Sequence, residues 1–434
     1  MMKKIGLLFT VLVLNQFANA QQVTIANQNN IYEVNIRQIT PEGTFNAFEK
    51  HLDRLHDMGV KTLWFMPIYP ISVKDRKGSL GSYYAIQDYK KVNPQFGTLE
   101  DWKHLVDKAH AKGFYVIIDW VANHTGADHN WLQTHPEFYV LDSITHQPIA
   151  PFDWTDVRKL NYNNYALRDS MKASLQYWVK ETNIDGFRCD VAAEVPASFW
   201  KTAISSLRNA SKKTLFFLAE AEDTAIYNAG FDACYMWSSF SMMKDIVLGK
   251  KNAIDLKNNI ENSNKLFGKK LQMYFTSNHD ENSWSKADFG TMPGNTHEVF
   301  SMLSFTLPNT IPLIYNGQEE PTTEAISFFE KDTITINNLQ RAPFYKKMLQ
   351  LRTNAVFNNN ADFQFYGLEN KNLLGFERNY GTHKLIVITN LSNEPISTNY
   401  PINFVDFTDF KTNKKTSSSL GLNLAAWDYV ILYK

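Results

Sequence analysis

Short apolar runs rich in β-branched and aromatic residues recur along most of this chain, each followed by apolar positions at helical spacing. The runs fall at residues 32–36, 62–66, 115–119, 186–190, 215–219, 231–235, 271–276 and 311–315. Between them, Phe48, Leu52, Leu55 and Met58 predict one helix after Thr44, ended by Gly59, and residues 101–112 predict another, ended by Gly113. Eight strands alternating with helices predict a closed parallel (β/α)8 TIM barrel over residues 21–354. From Ala355 the pattern changes. Alternating runs at 373–378, 384–389 and 429–432, separated by Asn, Gly and Ser clusters, predict a C-terminal antiparallel β-sandwich over 355–434. One connection, at about residues 124–166 after the third strand, is far longer than barrel loops usually are; it is read as a short loop domain walling a cleft.

Composition narrows the function. Lys+Arg and Asp+Glu both number 44, so no basic excess exists to attract nucleic acid or an anionic membrane, and an uncharged substrate is expected. Residues 1–20 read as a signal peptide, with Lys3 and Lys4, an apolar stretch from Ile5 to Leu14, and Ala18-Asn19-Ala20 at the cleavage site. Export to the periplasm or the exterior is expected, with no transmembrane anchor after cleavage. The two cysteines, Cys189 and Cys234, are expected as buried free thiols.

In a barrel of this kind the chemistry sits at the C-terminal ends of the strands. The polar residues there are Asp119 with Asn123 and His124, Arg188 with Asp190, Glu220, and His279 with Asp280. Asp190 and Glu220 are one βα unit apart, and Glu220 and Asp280 two units, which puts three carboxyls at equivalent strand ends. Two such groups across a pocket can break a glycosidic bond. Arg188, two residues from Asp190 on a strand, shares its face and is expected to keep Asp190 ionised as the nucleophile. Glu220, ending an apolar run beside another acid, is the general acid and base, with Glu222 as a rival. Asp280, His124 and His279 are expected to bind ring hydroxyls.

Four stretches carry a family resemblance: Asp119-Trp120-Val121-Ala122-Asn123-His124, Gly186-Phe187-Arg188-Cys189-Asp190, Ala219-Glu220, and Phe275-Thr276-Ser277-Asn278-His279-Asp280. In this order they resemble the four short regions that mark the α-amylase family, glycoside hydrolase family thirteen. The resemblance extends to Tyr83-Tyr84-Ala85-Ile86-Gln87-Asp88-Tyr89 and to Pro312-Leu313-Ile314-Tyr315-Asn316-Gly317-Gln318-Glu319. It implies a retaining α-glucan-active glycosidase with Asp190, Glu220 and Asp280 as nucleophile, acid/base and third carboxylate. Tyr84 takes the place of the aromatic platform under the sugar, and Arg188, His124 and His279 are its further substrate-binding residues. Val157-Arg158-Lys159-Leu160-Asn161 resembles the neopullulanase and cyclomaltodextrinase version of a fifth region. α-Amylases carry a structural calcium here. Asn123 matches one of its ligands, but Lys159 stands where an Asp is usual, and an ammonium repels a cation. The expectation is a hydrolase of α-1,4 bonds in starch or maltodextrins that requires no cofactor. The alternatives are a neopullulanase-like or transglycosylating enzyme and a non-catalytic glucan-binding protein.

Overall fold

The computed structural model describes residues 29–286, 290, 292–321, 324–399, 404–416 and 421–434; the expected signal peptide at 1–20 lies outside them. Eight parallel strands close a barrel: β1 (Ile31–Val34), β2 (Thr62–Phe65), β3 (Tyr115–Val121), β6 (Gly186–Asp190), β7 (Phe216–Ala219), β8 (Ala233–Tyr235), β9 (Leu271–Tyr274) and β10 (Thr310–Tyr315). Their order around the ring is β1-β10-β9-β8-β7-β6-β3-β2. Nearly every strand residue is buried, because side chains fill the inside and helices cover the outside.

Local chemistry sets the helix starts. Thr98 and Asp101 form a capping box for the helix Leu99–Ala111, and Asn252 with Asp255 does the same for Ala253–Phe267. Two expected boundaries are corrected. Residues 32–36 do not form one strand, since β1 stops at Val34 and Ile36–Ile39 turns into a short helix whose Gln38 and Ile39 amides donate to the Asn35 carbonyl. The helix expected after Thr44 is two pieces, Phe45–Glu49 and Leu52–Met58.

Gly186 opens β6 for a steric reason. Its φ is +149°, and a Cβ there would lie 1.8 Å from the Phe216 carbonyl oxygen of β7. That close approach fixes the β6–β7 register, with Cys189 beside Ala219, and so places Glu220 just past Cys189. On the other side, Arg188 lies opposite Asp119 and Asp190 opposite Val121. The long connection contains β4 (His124–Gly126) and β5 (Val157–Lys159), paired antiparallel with His124 opposite Lys159, and it stands beside the barrel mouth.

Beyond the helix Ala342–Leu351 the chain enters antiparallel structure. Strands β11 (Asp362–Phe365), β12 (Leu373–Tyr380), β13 (His383–Asn390), β15 (Thr408–Asp409) and β17 (Tyr429–Tyr433) make one sheet, and β14 (Ile396–Asn399) pairs with β16 (Gly421–Leu424) in a second. Period-two alternation divides the larger sheet's faces. Ile386, Ile388 and Leu432 pack with Ile396, Leu422 and Leu424 of the small sheet, whereas Leu385, Val387 and Ile431 join the apolar core of the barrel. The buried Arg378 ties the two together by donating to the carbonyls of Thr306 and Leu307. Cys189 and Cys234 are both free and buried. Among the described residues no helix is long and apolar enough to cross a membrane.

Candidate active site

The barrel mouth opens into a cleft of about 360 Å³ lined by Tyr84, His124, Asp190, Glu220 and Asp280, with Lys77, Trp154, Trp284, Phe328 and Phe329 around them. All three acids singled out in the sequence reach it. Arg188 lies beneath, with no solvent exposure. Its Nη1 donates to Asp119 Oδ1 and to Asp190 Oδ1, both at 2.9 Å, and its Nε donates to the Tyr235 hydroxyl at 3.1 Å. Nη2 lies 3.0 Å from Glu220 Oε2 in a charge contact whose N–H is not aimed at the oxygen. One guanidinium thus spans the two carboxyls, an arrangement compatible with the roughly 5–5.5 Å between acids in retaining glycosidases.

The backbone after β6 is bent to serve Glu220. Val191 has φ +35°, a left-handed conformation that is strained for a β-branched residue at a cost of order 1–3 kcal/mol. The bend aims the Val191 amide at Glu220 Oε2, 2.8 Å away. Main-chain bonds from Glu220 N to the Cys189 carbonyl (3.0 Å) and from Ala192 N to the Glu220 carbonyl (3.1 Å) fix the same corner. Glu222 faces elsewhere. It accepts from the Ser238 amide (2.8 Å) and hydroxyl (2.5 Å) at the start of the helix Trp237–Val247, a capping role.

The electrostatics differ in one respect from expectation. Arg188 was expected to hold Asp190 ionised, yet burial and then the Glu220 carboxylate push Asp190 well above the usual carboxylate range, with Arg188 opposing them. The reason is that the guanidinium is divided among Asp119, Asp190 and Glu220, so one positive charge serves three carboxyls. Burial likewise raises Asp119 to about 6 against the pull of Arg188 and His279. Asp280 differs. Burial would raise it, but the charge and hydrogen bond of His279, helped by Arg188 and Trp284, outweigh that and leave it below its usual value.

The remaining residues frame the sugar space. Tyr84, His279 and Phe328 cluster together, with Tyr84 stacked on His279 (centroids 5.4 Å apart) and Phe328 6.4 Å from both. His124 is kept neutral, burial lowering it to about 3, and its Nδ1 faces the Asn123 amide at 3.3 Å. Asn123 itself is buried beside the cleft and does not line it. The surroundings of Asn123 do not fit a calcium ion. Lys159 opposes His124 across the β4–β5 ladder and pairs with Glu194 at 3.6 Å, and among the described residues no three His, Cys, Asp or Glu side chains converge as a metal site.

Sequence reasoning missed Glu33, which contacts His279, and the cleft residues Lys77, Trp154, Trp284, Phe328 and Phe329. The signal for Glu33 was an acid inside the apolar run Ile31-Tyr32-Glu33-Val34. Trp284 lies on the short helix His279–Ser285 and the others on irregular loops, none with a periodic signal.

Comparison with known proteins agrees with this geometry. The family described as "Alpha amylase, catalytic domain" matches residues 14–157 and 141–382. Alpha-amylase 2 of Dictyoglomus thermophilum is 25% identical over 339 residues, which cover 71% of this chain and 58% of that protein. Among solved structures, a maltogenic alpha-amylase, AmyB from Thermotoga neapolitana, is 28% identical with a TM-score of 0.83, covering 94% of this chain and 98% of that one. An alpha-amylase from Lactobacillus plantarum is 27% identical with a TM-score of 0.85, covering 95% and 100%.

Proposed function

The chain belongs to the α-amylase catalytic-domain family, and we propose that it hydrolyses α-1,4-glucosidic bonds of starch-type glucans or maltodextrins with retention of configuration. The observation that carries this reading is the bridging of Asp190 and Glu220 by Arg188 in a cleft that Asp280 also lines. In the first step an Asp190 carboxylate oxygen attacks the anomeric carbon, the bond to the leaving oxygen breaks, and Glu220 gives that oxygen its proton. In the second, Glu220 takes a proton from water as the water oxygen attacks the same carbon and releases Asp190. The chemistry needs one proton over the two carboxyls, and the crowding of acids around Arg188 favours retaining one there. Asp280, held ionised by His279, accepts from ring hydroxyls as positive charge develops on the sugar. Tyr84 supplies the flat apolar face beneath it.

A second reading, transfer to a sugar acceptor, draws on a neighbouring pocket of about 320 Å³ lined by Glu220, Phe152, Trp154 and Trp237. The aromatic wall on the acid's side suits a sugar ring better than a lone water. Chromatography of products from maltoheptaose separates the two. Glucose and short maltodextrins support hydrolysis, oligosaccharides longer than the substrate support transfer, and glucan binding without turnover leaves only a binding protein. Pullulan and cyclodextrin, run in parallel, test the neopullulanase-like specificity suggested by Val157-Arg158-Lys159-Leu160-Asn161. The N-terminal Lys3, Lys4 and apolar stretch support export, which cell fractionation checks.

A further inference from the structure

We propose that Glu33, from inside the barrel on β1, is a positioning residue that holds His279 as a doubly protonated imidazolium beneath the sugar. Glu33 is fully buried, and its Oε1 lies 2.5 Å from His279 Nδ1. Its other oxygen, Oε2, meets no hydrogen-bond partner among the described residues, so the ring is the side-chain partner of this carboxyl. A buried carboxylate is costly unless a cation faces it.

Donor counting leads to the same state. His279 Nε2 lies 2.7 Å from the Tyr84 oxygen and 3.2 Å from Asp280 Oδ2, and the Tyr84 hydroxyl also lies 3.1 Å from Asp119 Oδ2. The carboxylate oxygens of Asp280 at Nε2 and of Glu33 at Nδ1 can only accept, so a hydrogen on each ring nitrogen satisfies both. The charged groups around the ring are Glu33 from β1, Asp119 from β3, Arg188 from β6 and Asp280 from its own segment: three carboxyls and one guanidinium. A second cation in their midst relieves that excess. Burial alone would lower the imidazole, but Asp280 and Glu33 raise it well above its ordinary value; burial raises Glu33 too, against the charge and hydrogen bond of His279.

The consequence for the reaction rests on the glucan-cleaving reading above. An imidazolium at this position keeps Asp280 ionised and aims it at the ring hydroxyls, so Glu33 acts on the substrate through two intermediaries. The test has two arms. In protein labelled with 15N-histidine, the His279 signal, identified by its absence in His279→Gln, is expected to show both nitrogens protonated from pH 5 to above pH 8. In Glu33→Gln, which keeps an acceptor but loses the charge, the alkaline limb of kcat for maltoheptaose is expected to move down by about one pH unit or more. The same variant should recover toward the wild-type rate at acid pH, which a merely structural defect would not do. An unprotonated Nδ1 at pH 7 in the wild type overturns the proposal, as does an alkaline limb in Glu33→Gln that coincides with the wild type. Should Glu33→Gln not fold, the wild-type spectrum alone decides. It reads the ring whether or not the enzyme turns over glucan, so failure of this inference and failure of the functional reading are distinguishable.

Discussion

Replacing Arg188 by Met removes the charge at the centre of the site while retaining most of the buried volume. The side chain is fully enclosed and faces Asp119, Asp190 and Glu220. Without it, Asp119 keeps its hydrogen-bond contacts with the Trp64 indole (3.3 Å) and the Tyr84 hydroxyl (3.1 Å) and the weaker pull of His279. Removing one partner of a buried ion pair costs roughly 3–5 kcal/mol, a large share of the roughly 5–15 kcal/mol that holds a folded protein together. The cost depends on pH in a defined direction. Asp119 sits at about 6 even with Arg188 present, and loss of the guanidinium moves it higher. A carboxyl whose folded pKa lies above its unfolded value binds protons more tightly when folded, so stability rises as pH falls through the folded pKa. The deficit of Arg188→Met is therefore greatest above neutrality and shrinks in acid. Urea unfolding followed by tryptophan fluorescence at pH 8 and pH 5 should show a loss of about 3–5 kcal/mol at the higher pH and less than half of that at the lower. A loss below about 1 kcal/mol at pH 8, or an equal loss at both values, refutes the reasoning.

Gly186→Ala drives a methyl group into the Phe216 carbonyl and should destabilise the fold by more than about 3 kcal/mol, or leave the protein insoluble on expression; a Tm within a few degrees of wild type would contradict the close approach. Glu220→Gln and Glu222→Ala separate chemistry from capping. The first should lower kcat by orders of magnitude with little change in Tm, whereas the second should cost about 1 kcal/mol in urea unfolding and leave kcat within a few-fold. EDTA should change neither Tm nor turnover, since the Lys159 ammonium, opposite His124 and paired with Glu194, repels a cation near Asn123; a fall in Tm restored by calcium would contradict this.

What could be read from the chain and what could not divide along physical lines. The strands of the barrel are continuous apolar runs because both faces are covered, and Asp190, Glu220 and Asp280 follow such runs at intervals of whole βα units. The C-terminal sheet was visible for a different reason, since Ile386 and Ile388 serve one face while Leu385 and Val387 serve the other. Spacing said nothing about the sharing of Arg188 among three carboxyls, because Asp119 lies 69 residues away and meets it only through the β3–β6 register. The left-handed Val191 was equally hidden, a residue type that seldom adopts that conformation. Trp284, which is 61% exposed, reaches the cleft from the short helix His279–Ser285 and Phe328 from a loop, both set by tertiary packing, so no local pattern marked them.

The central claim is that Asp190 forms a covalent bond to the sugar while Glu220 manages the proton. Mass spectrometry of the Glu220→Gln variant after incubation with an α-maltosyl fluoride slowed by ring fluorination tests it directly, because the activated leaving group needs no acid and the missing base leaves the intermediate unhydrolysed. The account predicts that the peptide containing Asp190 gains the mass of one fluorinated maltosyl group. An unmodified Asp190 peptide with the label on another residue, or an unlabelled protein that still releases fluoride, would contradict it.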